Sequence, residues 1–129
     1  MKPLLILPFV HGLLNCGGDE TLSGYGAAER EWHLVEIGGA AFETEAVVQF
    51  PEEGKINGRA PCNSFSGQQL QPYPWFQVEA LAVTRRACPE LPEETAFFKA
   101  LEQMTLAEVV GETLILSNTE GGEMVFEAR

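Results

Sequence analysis

The rhythm of apolar and polar positions changes several times along this chain. Residues 31–37, EWHLVEI, alternate in part, with Trp32, Leu34 and Glu36 on one side and His33, Val35 and Ile37 on the other. A period of two predicts a strand, and Gly38-Gly39 stops it. AVVQF at 46–50 predicts a second strand, closed by PEEG. GKINGRA at 54–60 predicts a short, glycine-broken third, and SFSGQQLQ at 64–71 a weak fourth anchored by Phe65. WFQVEALAVT at 75–84 is rich in aromatic and branched residues, the composition a pleated strand favours. The rhythm then becomes helical over 92–104, where Phe97, Ala100, Leu101 and Met104 fall at i, i+3, i+4 and i+7. Pro92 suits a first helical turn, and Glu93-Glu94 suit the positive end of the helix dipole. Three short strands follow at 105–110, 113–118 and 123–128, with turns at Gly111-Glu112 and TEGG.

Eight short strands and one amphipathic helix, without strand–helix–strand alternation, argue against a parallel sheet. The expected fold is mainly β (α+β): one antiparallel meander rolled into a barrel-like sheet, with the helix near 92–104 covering an end. Trp32, Phe50, Phe65, Trp75, Phe97, Leu101 and Phe126 are the expected core. Trp75 has a second reading, as an aromatic ligand patch, because it follows the stiff loop QPYP.

The first residues break this picture. MKPLLILPFVHGLLNC has one cation, then an apolar run too short and too interrupted by Pro3, Pro8 and Gly12 to span a bilayer as a helix. Residues 1–15 are read as a signal peptide. Its end, LLNC, is similar to a lipoprotein box, with Cys16 the expected lipidation site, although Asn15 stands where a small residue is usual. The alternatives are an ordinary secretory signal cut further along, or a mis-set start. Residues 16–30, glycine-rich and polar, are expected to form a flexible tether, with the domain at 31–129.

A net charge of −11 makes nucleic acid a poor partner, since its phosphates demand clustered cations and Arg85-Arg86 is the only adjacent pair. Cys62, in APCNSFSG, is the residue of greatest chemical interest: a nucleophile, a metal ligand or half of a bridge. A nucleophilic thiol needs a base or cation beside it, and beyond the signal the chain offers the single histidine His33, on a predicted strand. Metal-ligand spacings such as C-x-x-C and H-x-x-x-H are absent from the sequence, as is a phosphate-binding glycine loop. Neither catalytic residues, nor a metal, nor a cofactor is expected. Glu52-Glu53 are read as turn solvation. What remains for Cys62 is a disulfide to Cys88, favoured by the oxidising compartment a signal sequence implies. Asn63 is expected to cap the adjacent turn through its side chain.

W-x-L-V-x-I-G-G (32–39), G-R-A-P-C-N-S-F-S-G (58–67), L-A-V-T-R-R-A-C (81–88) and E-x-x-F-F-K-A-L (94–101) occur in an order that resembles the META domain, or HslJ-like, family of heat-shock-associated envelope proteins. Pro61 stands where that family commonly has glycine, and Arg85-Arg86 where it often has methionine. The resemblance marks Cys62, Asn63, Phe65, Gly67, Thr84 and Cys88 as signature positions and supplies no catalytic residue. It implies a small barrel-like fold in a periplasmic or outer-membrane lipoprotein. Members are linked to heat stress, novobiocin resistance, and motility or virulence, with no agreed biochemical activity. The expected function is therefore non-enzymatic: a monomeric, periplasmic lipoprotein anchored by lipid to the outer membrane, supporting stress or antibiotic tolerance, with an envelope protein as possible partner. The alternatives are a carrier of a small apolar ligand, and an inhibitor of a secreted hydrolase acting through the acidic loop FPEEG (50–54).

Overall fold

A computed structural model describes residues 18–129. Residues 1–15, read as a signal peptide, and the expected lipidation site Cys16 lie outside the described residues.

The strands are β1 (Trp32–Ile37), β2 (Ala40–Ala41), β3 (Val47–Gln49), β4 (Lys55–Arg59), β5 (Ser64–Gln68), β6 (Glu79–Val83), β7 (Leu106–Val110), β8 (Thr113–Ser117) and β9 (Glu123–Ala128), and the helix is α1 (Leu91–Gln103). They form one antiparallel sheet in the order β6-β5-β4-β3-β1-β9-β8-β7, with β2 folded back on β1. Two meanders, β3 to β6 and β7 to β9, are thus joined through β1, which pairs with β3 on one side and β9 on the other. The sheet curls into a half-barrel whose end strands, β6 and β7, do not pair with each other. This is the β-rich α+β architecture that the alternating runs predicted.

Strand identity held better than strand register. Leu34 lies opposite Phe126 and Ile37 opposite Met124, with a β-bulge between Leu34 and Glu36. Opposed residues share a face, so the extra residue turns Ile37 to the side of Trp32 and Leu34, where it packs against the core. Uninterrupted alternation had placed it on the other side. The 75–84 run also shortens. Trp75 makes only an isolated bridge to Leu106, and regular pairing begins at Glu79. The buried Gln69 side chain organises the intervening loop: its Oε1 accepts from the backbone N–H groups of Gln71 and Gln77 at 3.1 Å each. Trp75 is 56% exposed and is not core, whereas its neighbour Phe76 is buried at 2%.

Residues 18–30 pack rather than hang free. A 3-10 turn at Leu22–Tyr25 inserts Leu22 into the core, and Trp32 Nε1 donates to Ala27 O at 3.0 Å. Asp19 fastens the turn by accepting from Thr21 N (2.8 Å), Thr21 Oγ1 (2.6 Å) and Ser23 Oγ. Burial alone would raise the Asp19 pKa, but the hydrogen bonds from Ser23 and Thr21 outweigh it and hold the carboxyl below its ordinary value. Glycine content suggested a tether here; apolar burial and this carboxylate give the segment a fixed place.

The concave side is filled by side chains. Trp32, Phe50, Ile56, Phe97, Leu101, Leu114, Leu116, Met124 and Phe126 are all essentially inaccessible. α1 delivers Phe97 and Leu101 from its predicted apolar stripe, and Phe65 on β5 meets Phe97 and Phe98 at ring separations of 5.8 and 5.3 Å.

Candidate functional site

Four signature positions converge where the β4–β5 turn, the segment after β6 and the first turn of α1 meet. The turn itself is closed by Ala60 N donating to Asn63 O at 2.7 Å. Cys62 and Cys88 are joined in a disulfide with Cα atoms 5.6 Å apart, spanning 26 residues. Both sulfurs are consumed by the bridge, so Cys62 is neither a free nucleophile nor a metal ligand.

Asn63 is the centre of the cluster. Its Nδ2 donates to Arg86 O (3.0 Å) and Glu94 Oε2 (2.7 Å), while its Oδ1 accepts from Arg86 N (2.6 Å) and Thr84 Oγ1 (2.8 Å). Two donors and two lone pairs are the full capacity of a carboxamide, and all are used. The expectation of a local turn cap is thereby corrected: this side chain ties together segments 21 to 31 residues away. The physical reason is burial. Asn63 is 7% exposed, and a buried amide must find partners wherever the fold supplies them.

Thr84 completes the seam. Its Oγ1 receives the N–H of Ser64 at 3.1 Å, and its own N–H donates to Ser64 O at 3.1 Å. Phe65 lies directly after this seam in β5 with its ring in the core, as expected. Gly67 serves a different purpose at the far end of β5. A Cβ there would approach Glu79 O to 2.9 Å, so glycine permits β5 and β6 to close around their bulge.

Glu94 was expected to serve the helix dipole, and it does lie in the first turn of α1, but its side chain has a second role. Glu94 is 5% exposed, and its carboxylate accepts from Cys62 N (2.8 Å), Asn63 N (2.9 Å) and Asn63 Nδ2. The ion pairs found among the described residues are elsewhere, His33–Glu31 and Arg59–Glu31. Glu94 is therefore balanced by N–H dipoles rather than by a cation. A signal for this was present: Glu94, Phe97 and Leu101 lie at i, i+3 and i+7, which puts the carboxylate on the buried stripe.

Around this cluster the surface is open. A groove of about 460 Å³ runs between β6 and the start of α1, floored by Leu81, Val83 and Leu91 and bordered by Arg85 and Arg86. Glu52 and Glu53 lie in an exposed turn between β3 and β4. Among the described residues no group of three His, Cys, Asp or Glu side chains is placed to hold a metal, and no helix is long and apolar enough to cross a membrane.

The family model of the META domain matches residues 26–129. Three solved structures share the fold. A protein from Burkholderia xenovorans, solved by NMR, is 17% identical with a TM-score of 0.65, covering 88% of this chain and 92% of that one. A second NMR structure is 20% identical with a TM-score of 0.62, covering 80% and 92%. A DUF4847-family protein from Bacteroides vulgatus is 12% identical with a TM-score of 0.61, covering 80% and 94%. No curated protein matches the chain.

Proposed function

Because the chain belongs to the META domain family, we propose that it is a non-enzymatic lipoprotein of the cell envelope, anchored through Cys16 and supporting stress or antibiotic tolerance by holding a protein partner. One observation carries the reading: the polar signature side chains are spent on the fold itself. Cys62 and Cys88 are bridged, and Asn63, Thr84 and Glu94 are hydrogen-bonded to one another and to backbone. A catalytic group needs an unspent proton, lone pair or thiolate facing a substrate, and these side chains are already committed. The disulfide also supports an oxidising compartment, in keeping with the signal-like first fifteen residues. The side-chain-filled concave surface weighs against the carrier alternative.

The test is labelling with radioactive palmitate in a bacterial host, followed by membrane fractionation. Label in the outer-membrane fraction, lost in Cys16→Ala, is the expected result. An unlabelled protein found in the cytoplasm would remove the lipoprotein assignment.

A further inference from the structure

Among the described residues β6 is an end strand, with no strand beside its outer edge. Its register with β5 places Phe65 opposite Val83 and Ser66 opposite Ala82. Thr84 N donates to Ser64 O, so the alternation of an antiparallel ladder turns the main-chain groups of Thr84 toward β5 and those of Val83 and Arg85 away from it. Arg86 returns inward, its N–H and C=O both held by Asn63. Among the described residues, no backbone hydrogen bond beyond the β5 ladder reaches Val83 or Arg85. The opposite end strand differs. The outer side of β7 is covered by residues 73–76, through Ala107 N to Pro74 O, Phe76 N to Thr105 O and Val109 N to Tyr73 Oη.

Natural proteins shield such edges with bulges and charges. Here the shielding is partial. A bulge and the positive φ of Ala80 (53°) twist away the start of β6, but the strand runs on to Val83, and Thr84 N still bonds Ser64 O beyond it. Its outward side adjoins the groove floored by Leu81, Val83 and Leu91, where Leu91 is 41% exposed. Charge is polarised along it. Arg85 and Arg86, the chain's only adjacent basic pair, stand at one end and Glu79 at the other. Arg59 lies two strands inward in the same row, across Ser64 from Thr84.

We infer that the open edge of β6 binds an extended acidic segment of a partner protein by strand addition, with its main chain on Val83 and Arg85, apolar side chains on Leu81 and Leu91, and its carboxylates on Arg85 and Arg86. Charge selects this occupant. In a chain of net −11, a second copy is repelled over most of its surface, whereas an acidic segment finds a local basic pair. Main-chain bonds supply general affinity and the groove and arginines supply selectivity. The inference rests on the partner-binding part of the proposed function, and amide exchange in the free protein, which needs no partner, separates the two.

The experiment uses the intact chain labelled with nitrogen-15. In the free protein, the amides of Val83 and Arg85 exchange rapidly while that of Thr84 is protected. Slow exchange at Val83 and Arg85 at all protein concentrations would show a covered edge and overturn the inference. Two capped synthetic peptides are then titrated, one alternating Val with Asp and the other Val with Lys. The Val–Asp peptide slows the Val83 and Arg85 amides about tenfold or more, and the Val–Lys peptide does not. Val83→Pro, which removes one outward N–H at an edge where proline is tolerated, weakens binding. Arg85→Glu with Arg86→Glu weakens it roughly fivefold, and keeps the proposal testable if the proline variant fails to fold. Equal binding of both peptides, binding of neither, or protection that grows with protein concentration alone (edge pairing between copies) would each overturn it.

Discussion

Glu94 is the residue whose removal tests the account of the signature cluster most directly. In Glu94→Ala three donors lose their acceptor: Cys62 N, Asn63 N and Asn63 Nδ2. The Cys62 amide is half-buried, and water can replace its partner. Asn63 is buried, and its two donors stay orphaned. A hydrogen bond to a charged group is worth roughly 1.5–3 kcal/mol, so two orphans cost about 3–6 kcal/mol. Relief from no longer burying a carboxylate offsets part of this. The expected net loss is about 3 kcal/mol, a large share of the roughly 5–15 kcal/mol typical of a domain. Glu94→Gln keeps one oxygen for the two backbone N–H groups but sets its own NH₂ against Asn63 Nδ2. Flipping Asn63 is no remedy, because its Oδ1 would then face Arg86 O and its Nδ2 would face Arg86 N. That variant therefore loses about 1–2 kcal/mol. Urea unfolding, followed by the fluorescence of buried Trp32, measures both, and a cycle with Asn63→Ala isolates the coupling, expected at about 1–3 kcal/mol. A Glu94→Ala protein within about 0.5 kcal/mol of the parent, or Gln as costly as Ala, would refute the reasoning.

Replacing both Cys62 and Cys88 by Ser opens a loop of 26 residues and is expected to cost about 3.5 kcal/mol in the chain-entropy model, read as a fall in urea midpoint; an unchanged midpoint counts against the bridge as a staple. Asp19→Ala removes the fastening of the 3-10 turn and costs about 1 kcal/mol at neutral pH. Because the folded pKa of Asp19 lies below its ordinary 3.8, its contribution is complete above that value and disappears as pH falls through the lower folded value. Stability curves of parent and variant should therefore converge in acid; parallel curves down to pH 2 would exclude the carboxylate as cause. Gly58→Ala places a Cβ 1.9 Å from Val47 O and 2.9 Å from Phe65 Cζ, forcing β3 and β4 apart. Thermal unfolding should drop by several degrees or more, and an unchanged midpoint would mean the strands are less closely apposed.

How much of this was legible in the chain varies with the range of the interaction. Alternation located nearly every strand, and the i, i+3, i+4 spacing located α1 to within a residue, because both depend on neighbours a few positions away. The pairing of Cys62 with Cys88 followed from a count of two remaining cysteines. Three local inferences went astray for one reason: a nearby alternative outcompeted the propensity. Trp75 and Phe76 are equally apolar in the sequence, and only the bridge to Leu106 and the Gln69-held loop decide which one turns inward. The bulge that moves Ile37 to the core side is a property of β1 against β9, ninety residues away in the chain. Glycines at 18–30 spoke for flexibility, and a core that accepts Leu22 spoke against it.

By itself, then, the sequence determined the element types, their order, the antiparallel class and the family signature, all of which follow from local periodicity and residue chemistry. Only the tertiary structure decided what the signature residues do. Asn63 can bond four groups in many ways, and nothing near it in the chain says that these will be Arg86, Thr84 and a helix carboxylate. Nor does any local pattern reveal that β6 ends the sheet, since an edge is defined by the absence of a neighbour, and neighbours are assigned by the whole fold.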